Sequence, residues 1–293
     1  CLEHGVPLVP RGAGTGLSGG ANAVPDCVVV SLEAMDAVLE IDPLERYAVV
    51  QPGLINDDLR AAVAAQGLWY PPDPASSPWS TIGGNVATNA GGVCCVKYGV
   101  TGDYVLGLEV VLADGRVVRT GRRTVKGVAG YDLTSLLVGS EGTLGVITEV
   151  TLRLRPAPSP PSTVVATFAD LQDAGRAVQR LTAAAVDLSL LELLDATTIE
   201  AIDAHTGMGI AAEAMLLVQT DLPDAAAFHA ASAHAAQPLP TIDLRDDPAW
   251  AAIDAHAPVL LLRHPDRLGD VAQARLLARL GPKARLVVFD KDP

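Results

Sequence analysis

Positive charge is scarce in this sequence: 21 lysines and arginines face 34 aspartates and glutamates, for a net charge of −13. Nucleic acid or an anionic membrane as the main partner would demand a basic surface, so the balance argues against both. Cysteine is scarce too. Cys1, Cys27, Cys94 and Cys95 form no C-x-x-C pair and show no zinc spacing. Four cysteines in a chain of 293 residues argue against a disulfide framework and for a reducing cytoplasm. The adjacent Cys94 and Cys95 read as small buried residues rather than as a redox pair. No apolar run is long enough to span a membrane, and no signal peptide opens the chain. An initial methionine is also lacking. Cys1-Leu2-Glu3-His4-Gly5 reads as the last turn of a helix closed by glycine, so preceding residues, with at least one strand, are expected.

Glycine, by contrast, is concentrated. Pro10-Arg11-Gly12-Ala13-Gly14-Thr15-Gly16-Leu17-Ser18-Gly19-Gly20 holds five glycines in the nine positions from Gly12 to Gly20. Glycine brings no side chain to pack and costs entropy on folding, so such a run is explained by backbone geometry. Successive N–H groups exposed in one concavity suit a phosphate or pyrophosphate, and Arg11 adds a positive charge at the entrance. A flexible surface loop is the plain alternative. Two further glycine-rich segments at strand ends, Ser80–Gly92 and Gly139–Gly145, weigh against it.

Gly14-Thr15-Gly16-Leu17-Ser18-Gly19 fits G-x-G-x-x-G, and Glu33 lies near the place of a ribose-binding acid. A dinucleotide site of that kind needs a helix to start inside the glycine run. Here a turn follows, and then the strand Cys27–Leu32. The nicotinamide reading is rejected.

The pattern predicts strands at Val6–Val9 and Cys27–Leu32, and a hairpin of Glu40–Asp42 with Tyr47–Gln51. A helix capped by Asn56 runs from Asp57 to about Gln66. After the proline-rich loop Tyr70–Pro78 come a hairpin of Leu106–Ala113 with Val117–Thr120 and a short helix capped by Asp132. In the strand Val146–Leu154, alternation places Val146, Thr148, Val150, Leu152 and Leu154 on one buried face. Four prolines between Pro156 and Pro161 mark a domain boundary. Beyond it, strands at Thr163–Phe168, Leu188–Leu194 and Ala214–Thr220 alternate with helices from Asp170 to about Ala185, at Thr197–His205 and at Asp224–Ala236. The remainder offers a strand at Val259–Leu262, a helix through Arg279 and a strand at Arg285–Phe289.

Pro10–Gly16, Thr81–Gly92, Lys97-Tyr98-Gly99 and Gly139-Ser140-Glu141-Gly142-Thr143-Leu144-Gly145 occur in an order that resembles the FAD-linked oxidases of the vanillyl-alcohol oxidase or PCMH type. The likeness is greatest to the branch of the glycolate oxidase D-subunit and D-lactate dehydrogenase. It implies an α+β fold in which residues 1–156 form a PCMH-type FAD-binding domain of two α+β subdomains, incomplete at its N-terminus. Residues 157–293 would be a partial α+β substrate or cap domain. It further implies FAD contacts at Pro10, Arg11, Gly12, Ala13, Gly14, Thr15, Gly16, Leu17 and Ser18, around the pyrophosphate. Asp73, Ser77, Thr81, Gly83, Gly84, Asn85, Asn89, Gly91, Gly92 and Tyr98 would follow along the adenosine and flavin path. Glu141, Gly142, Gly145, Val146 and Ile147 would hold the ribityl and ring region. Relatives that attach FAD covalently near the first loop use a histidine. Thr15 and Gly16 follow Gly14 here, so non-covalent FAD is expected.

The implied activity is oxidation of a small 2-hydroxy acid, glycolate or D-lactate, with hydride passing to flavin N5. The relatives carry catalytic and metal-binding histidines in a C-terminal His motif and a Glu-His-Gly motif. The first does not occur in this chain, and the second occurs only as Glu3-His4-Gly5 at the opposite end. No metal is therefore expected. His205, His229, His234, His256, His264, Arg245 and Arg263 are the second domain's own candidates, and none is assigned as catalytic. Alternatives are an FAD-binding subunit or truncated chain that needs further residues, or another alcohol oxidase of the same fold. Partners would be the hydroxy acid, an electron acceptor and partner subunits, without nucleic acid or a transmembrane segment. The expected location is the cytoplasm, or the membrane periphery through such subunits.

Overall fold

Residues 1–124, 126–183, 187–207, 209–210, 212–221 and 286–287 are described in the computed structural model. They fall into two compact units, Cys1–Ala157 and one that begins at Pro158.

The first unit opens with two short strands, β1 (Leu8–Arg11) and β2 (Val28–Ser31), paired in parallel from Leu8↔Val28 to Arg11↔Ser31. A parallel pair needs a crossover, and the glycine loop is that crossover. Then come β3 (Val38–Asp42), β4 (Tyr47–Val50), α1 (Asn56–Ala64), β5 (Leu68–Trp69), α2 (Ile82–Thr88), α3 (Cys95–Tyr98), β6 (Val105–Val111), β7 (Val117–Gly121), α4 (Leu133–Leu137), β8 (Val146–Arg153) and β9 (Arg155–Pro156). Strands β3-β4-β8-β6-β7 form one antiparallel sheet with β8 at its centre, and β5 pairs with β9. Val50, Val110, Val150 and Leu152 pack with Leu59 and Val63 of α1, Ile82 and Val86 of α2, and Leu137 of α4 in one core. Each buried aliphatic side chain of this kind stabilises by about 1.5–3 kcal/mol.

Three expectations are corrected here. Asn56 does not cap α1. Ile55 holds that position, and Asn56 is the first helical residue, fully buried, with Nδ2 donating to the Pro72 carbonyl at 3.3 Å. The small-residue run after Ser80 forms α2, which the pattern did not announce. Thr81 caps it, its Oγ1 accepting from the Gly84 amide at 3.2 Å. Gly83 weakens a helix by propensity, yet a Cβ there would stand 2.5 Å from Pro52 Cβ, so close packing overrides propensity. In β8, Val150, Leu152 and Leu154 are buried as the alternation predicts, but Ile147 rather than Val146 joins the core. A bulge opposite Glu109 and Val110 shifts the register there, pairing Val110 with Ile147 and reversing the face of the residues before it.

The second unit contains β10 (Ser162–Phe168), α5 (Leu171–Ala183), β11 (Leu190–Asp195), α6 (Ala196–Thr206), β12 (Ala214–Thr220) and β13 (Leu286–Val287). Its antiparallel sheet has the order β11-β12-β10-β13. Asp170 caps α5, its Oδ1 accepting from the Asp173 amide at 2.8 Å. Ala174, Ala177, Val178 and Leu181 of α5 pack on Ala166, Leu216 and Val218. The helix expected at Asp224–Ala236, the strand at Val259–Leu262 and the helix through Arg279 lie outside the described residues. Of the strand expected at Arg285–Phe289, Leu286–Val287 is described.

Candidate functional site

The three glycine clusters converge on one cavity of about 370 Å³ in the first unit. That volume lies in the range of small-molecule and cofactor sites.

The first wall is the β1–β2 loop. Among the described residues, no backbone amide from Gly12 to Ala21 donates a hydrogen bond to another protein group. None of these residues is buried, and a run of amides left without protein acceptors beside a cavity is a concavity that suits an anion. Gly14 takes a positive φ of 69°, and the Arg11 side chain lies against it, 2.8 Å from where a Cβ would stand. Arg11 is the one cation among the described lining residues.

Helix α2 forms the second wall, with Thr81, Gly83, Gly84, Asn85 and Thr88 on the cavity. Asn85 is 3% exposed, and its Nδ2 has no partner in the protein. A buried amide group left without an acceptor costs about 1–3 kcal/mol, so an acceptor entering the cavity beside Asn85 would be favoured.

The third wall is the turn before β8. Glu141 and Gly142 both have positive φ, 50° and 79°. The Glu141 amide donates to the Ala87 carbonyl at 2.8 Å, which ties the turn to α2. A Cβ on Gly142 would stand 2.7 Å from Pro10 Cγ, and one on Gly20 would stand 3.0 Å from Glu141 Oε2. The clusters are thus in close contact: a side chain at Gly142 would push the turn off Pro10, whereas one at Gly20 would require the Glu141 side chain to shift.

Pro10 to Ser18, Thr81, Gly83, Gly84, Asn85, Asn89, Gly91, Glu141, Gly142, Gly145 and Ile147 all line this cavity. Asp73, Ser77, Gly92, Tyr98 and Val146 do not. Asp73 is engaged by Cys94 and abuts Gly92, which leaves no room for a side chain there. Ser77 is buried in the turn after Pro74, and Ser76 lines the cavity in its place. Val146 lies on the opposite face of its strand from Gly145 and Ile147. Tyr98 packs edge-on against Trp69, ring centroids 4.7 Å apart, with the Arg155 guanidinium 5.2 Å from its centroid. Beside it, burial raises the Tyr104 hydroxyl above its ordinary range, against the pull of Arg155. Thr88 and Ala90 also line the cavity, and Leu32 and Pro52 line it without having been anticipated. Thr88 and Ala90 belong to the small-residue run already singled out, whereas Leu32 and Pro52 are single residues that only the topology brings there.

Cys94 and Cys95 are half-buried rather than buried, a further correction. His205 sits in the last turn of α6, in the second unit. His229, His234, His256, His264, Arg245 and Arg263 lie outside the described residues. No group of three or more His, Cys, Asp or Glu among the described residues could hold a metal ion. No helix among them is long and apolar enough to cross a membrane.

Comparison with known proteins adds to this geometry. Residues 1–121 match the FAD binding domain family, and residues 157–252 match the C-terminal domain of the FAD linked oxidases. The chain is 47% identical over 225 residues to the glycolate oxidase subunit GlcD of Bacillus subtilis, which covers 76% of this chain and 48% of that protein. It is 44% identical over 173 residues to a D-lactate dehydrogenase of Anaerostipes hadrus, covering 59% of this chain and 36% of that one. The chain therefore spans less than half the length of these relatives. Its fold matches that of p-cresol methylhydroxylase with a TM-score of 0.65 at 21% identity, over 82% of this chain and 53% of the other.

Proposed function

The chain belongs to the FAD-linked oxidases, and from that premise we propose that it holds FAD without a covalent bond and oxidises a small 2-hydroxy acid, glycolate or D-lactate. The observation that carries the cofactor assignment is the row of amides from Gly12 to Ala21 without protein acceptors, together with the unpartnered Asn85 Nδ2, all on residues that line the cavity. Both are donors, and FAD offers phosphate and carbonyl acceptors.

The loop amides and Arg11 would hold the pyrophosphate, Asn85 and Thr81 would supply side-chain groups to the rest, and Glu141-Gly142 would fix the wall opposite. When bound, FAD supplies the two-electron chemistry, accepting hydride from the α-carbon of the acid. The apolar Leu32, Pro52 and Ile147 exclude water from the same space. Among the described residues, no histidine, cysteine or tyrosine lines the cavity, which favours non-covalent attachment.

The lining also favours a second reading. Among the described lining residues the only carboxylate is Glu141 and there is no histidine, so they supply no evident base for the substrate hydroxyl. The chain would then be an FAD-binding portion completed by further residues or by partner subunits, as the word subunit in the name of the Bacillus relative suggests. The visible spectrum of the purified chain, before and after acid precipitation, tests the first reading. A flavin band that moves to the supernatant supports non-covalent FAD, and a band that stays in the pellet refutes it. A chain that takes up no added FAD would overturn the cofactor assignment at this cavity. With FAD loaded, bleaching by D-lactate or glycolate separates the complete enzyme from the portion that needs completion.

A further inference from the structure

Two thiols stand beside the cavity, and the proposed oxidation has no use for either. Cys94 immediately precedes α3, and Cys95 opens it. The Cys94 thiol donates to Asp73 Oδ2 at 3.1 Å, and the Cys94 amide donates to Asp73 Oδ1 at 3.3 Å. Cys95 Sγ instead accepts from the Gly92 amide at 2.9 Å. Neither sulfur is in a disulfide, and both residues are half-buried, so a small reagent can reach them.

The two environments divide the chemistry. A backbone N–H is aimed at the Cys95 sulfur and fixes its direction. A thiol that already donates to a carboxylate has its proton acceptor in place, and Cys94 has that contact. Cys95 is thus suited to attack an electrophile, and Cys94 to resolve the product.

We propose that Cys94 and Cys95 form a modification site, a dithiol that a hydroperoxide oxidises to a vicinal disulfide. The Cys95 thiolate attacks one oxygen of hydrogen peroxide. An S–O bond forms, the O–O bond breaks, and the leaving hydroxide takes a proton to become water. The Cys94 sulfur then attacks the Cys95 sulfenic acid while its proton passes to Asp73. The S–S bond forms, the S–O bond breaks, and the second hydroxide leaves as water with that proton. Two thiols are oxidised by two electrons, and one peroxide is reduced to two waters.

Adjacent residues have Cα atoms about 3.8 Å apart, closer than the roughly 4.4–6.8 Å of ordinary disulfides. The bond is therefore strained and easily reduced, as labile regulatory disulfides are. Forming it draws Cys94 from Asp73 and Cys95 from Gly92. Cys95 Sγ also lies 3.5 Å from where a Cβ on Gly91 would stand, and Gly91 lines the cavity. The oxidised pair would thus disturb the rim of the cavity.

The test treats the full chain with equimolar hydrogen peroxide, titrates its thiols and maps the digested peptides by mass. The expected result is loss of two of the four titratable thiols. The peptide containing Cys94 and Cys95 becomes lighter by two hydrogens, and dithiothreitol reverses both changes. In Cys94→Ser the reaction stops at a Cys95 sulfenic acid that dimedone traps. Survival of all four thiols would overturn the proposal. So would loss that maps to Cys1 or Cys27, or a Cys94→Ser chain in which dimedone labels nothing at Cys95.

Discussion

Gly12 lies directly against Thr81: a methyl group on Gly12 would overlap the hydroxyl that caps α2. The loop that bears the unpaired amides and the helix that bears Asn85 are therefore held at a spacing only glycine permits. Gly12→Ala must either push the loop off α2 or break the cap. Overpacking of this kind costs about 1–3 kcal/mol, and displacing the amide row is expected to weaken FAD binding by about tenfold or more. Thermal melts and FAD fluorescence titrations read the two effects. In Gly12→Ala/Thr81→Ala the space is restored while the cap is lost, so the two changes should not add, with a coupling of about 0.5–3 kcal/mol. Strict additivity would mean that the contact carries no weight.

Arg11 is the one cation among the described lining residues, and under the proposed binding its charge would bear on the phosphates alone. Arg11→Gln should weaken FAD by about ten- to 150-fold, the loss of a charge-assisted hydrogen bond of about 1.5–3 kcal/mol. Riboflavin, which has no phosphate, should bind the variant and the parent alike. An equal loss for both ligands would place Arg11 at the ring end of the cavity, contrary to the proposal.

The glycine clusters were legible in the sequence because glycine is used where backbones approach, and all three do meet at one cavity. Most strands and caps could be read too, since Asp132 and Asp170 accept the amides that their positions predict. Helix α2 could not, because its two glycines oppose a helix, and only the contacts of Gly83 with Pro52 and of Gly84 with the Thr81 hydroxyl explain them. Val146 was placed on the wrong face because a bulge leaves no mark in an alternating pattern. Leu32 and Pro52 carry no local signal at all. They reach the cavity through long-range packing, which periodicity does not encode.

Glu141 holds φ at 50° in a turn whose next residue is also left-handed, and for a residue with a Cβ that conformation costs about 1–2 kcal/mol. The turn keeps it because its amide binds Ala87 and its side chain meets Gly20. Glu141→Gly relieves the strain and retains the amide bond. A gain of about 0.5–1 kcal/mol is expected in urea denaturation of the cofactor-free chain, since the freer unfolded backbone offsets part of the relief. Glu141→Ala keeps the strain and removes the carboxylate, and should not stabilise. If both variants are equally stable, the strain at this position is not real.

Glu109 should make stability depend on pH in a direction its contacts fix. Thr148 Oγ1 donates to its carboxylate at 2.9 Å, and Arg119 reaches the other oxygen at 2.6 Å, joining β6, β7 and β8. The Thr148 hydrogen bond first, and then Arg119, hold Glu109 below the usual carboxylate range. The folded state therefore binds this proton less readily than the unfolded one. The stabilisation is complete above the ordinary glutamate pKa of about 4.3 and is lost as pH falls through the depressed folded value. Arg119 is well exposed, so the contribution is modest, about 0.5–1 kcal/mol. Urea unfolding of the parent and of Glu109→Gln between neutral pH and strong acid would read it. The gap between the two should hold constant down to about pH 5 and then close as the parent's carboxylate takes up its proton. A gap that stays the same throughout would mean that the network acts through packing and not through the charge on Glu109.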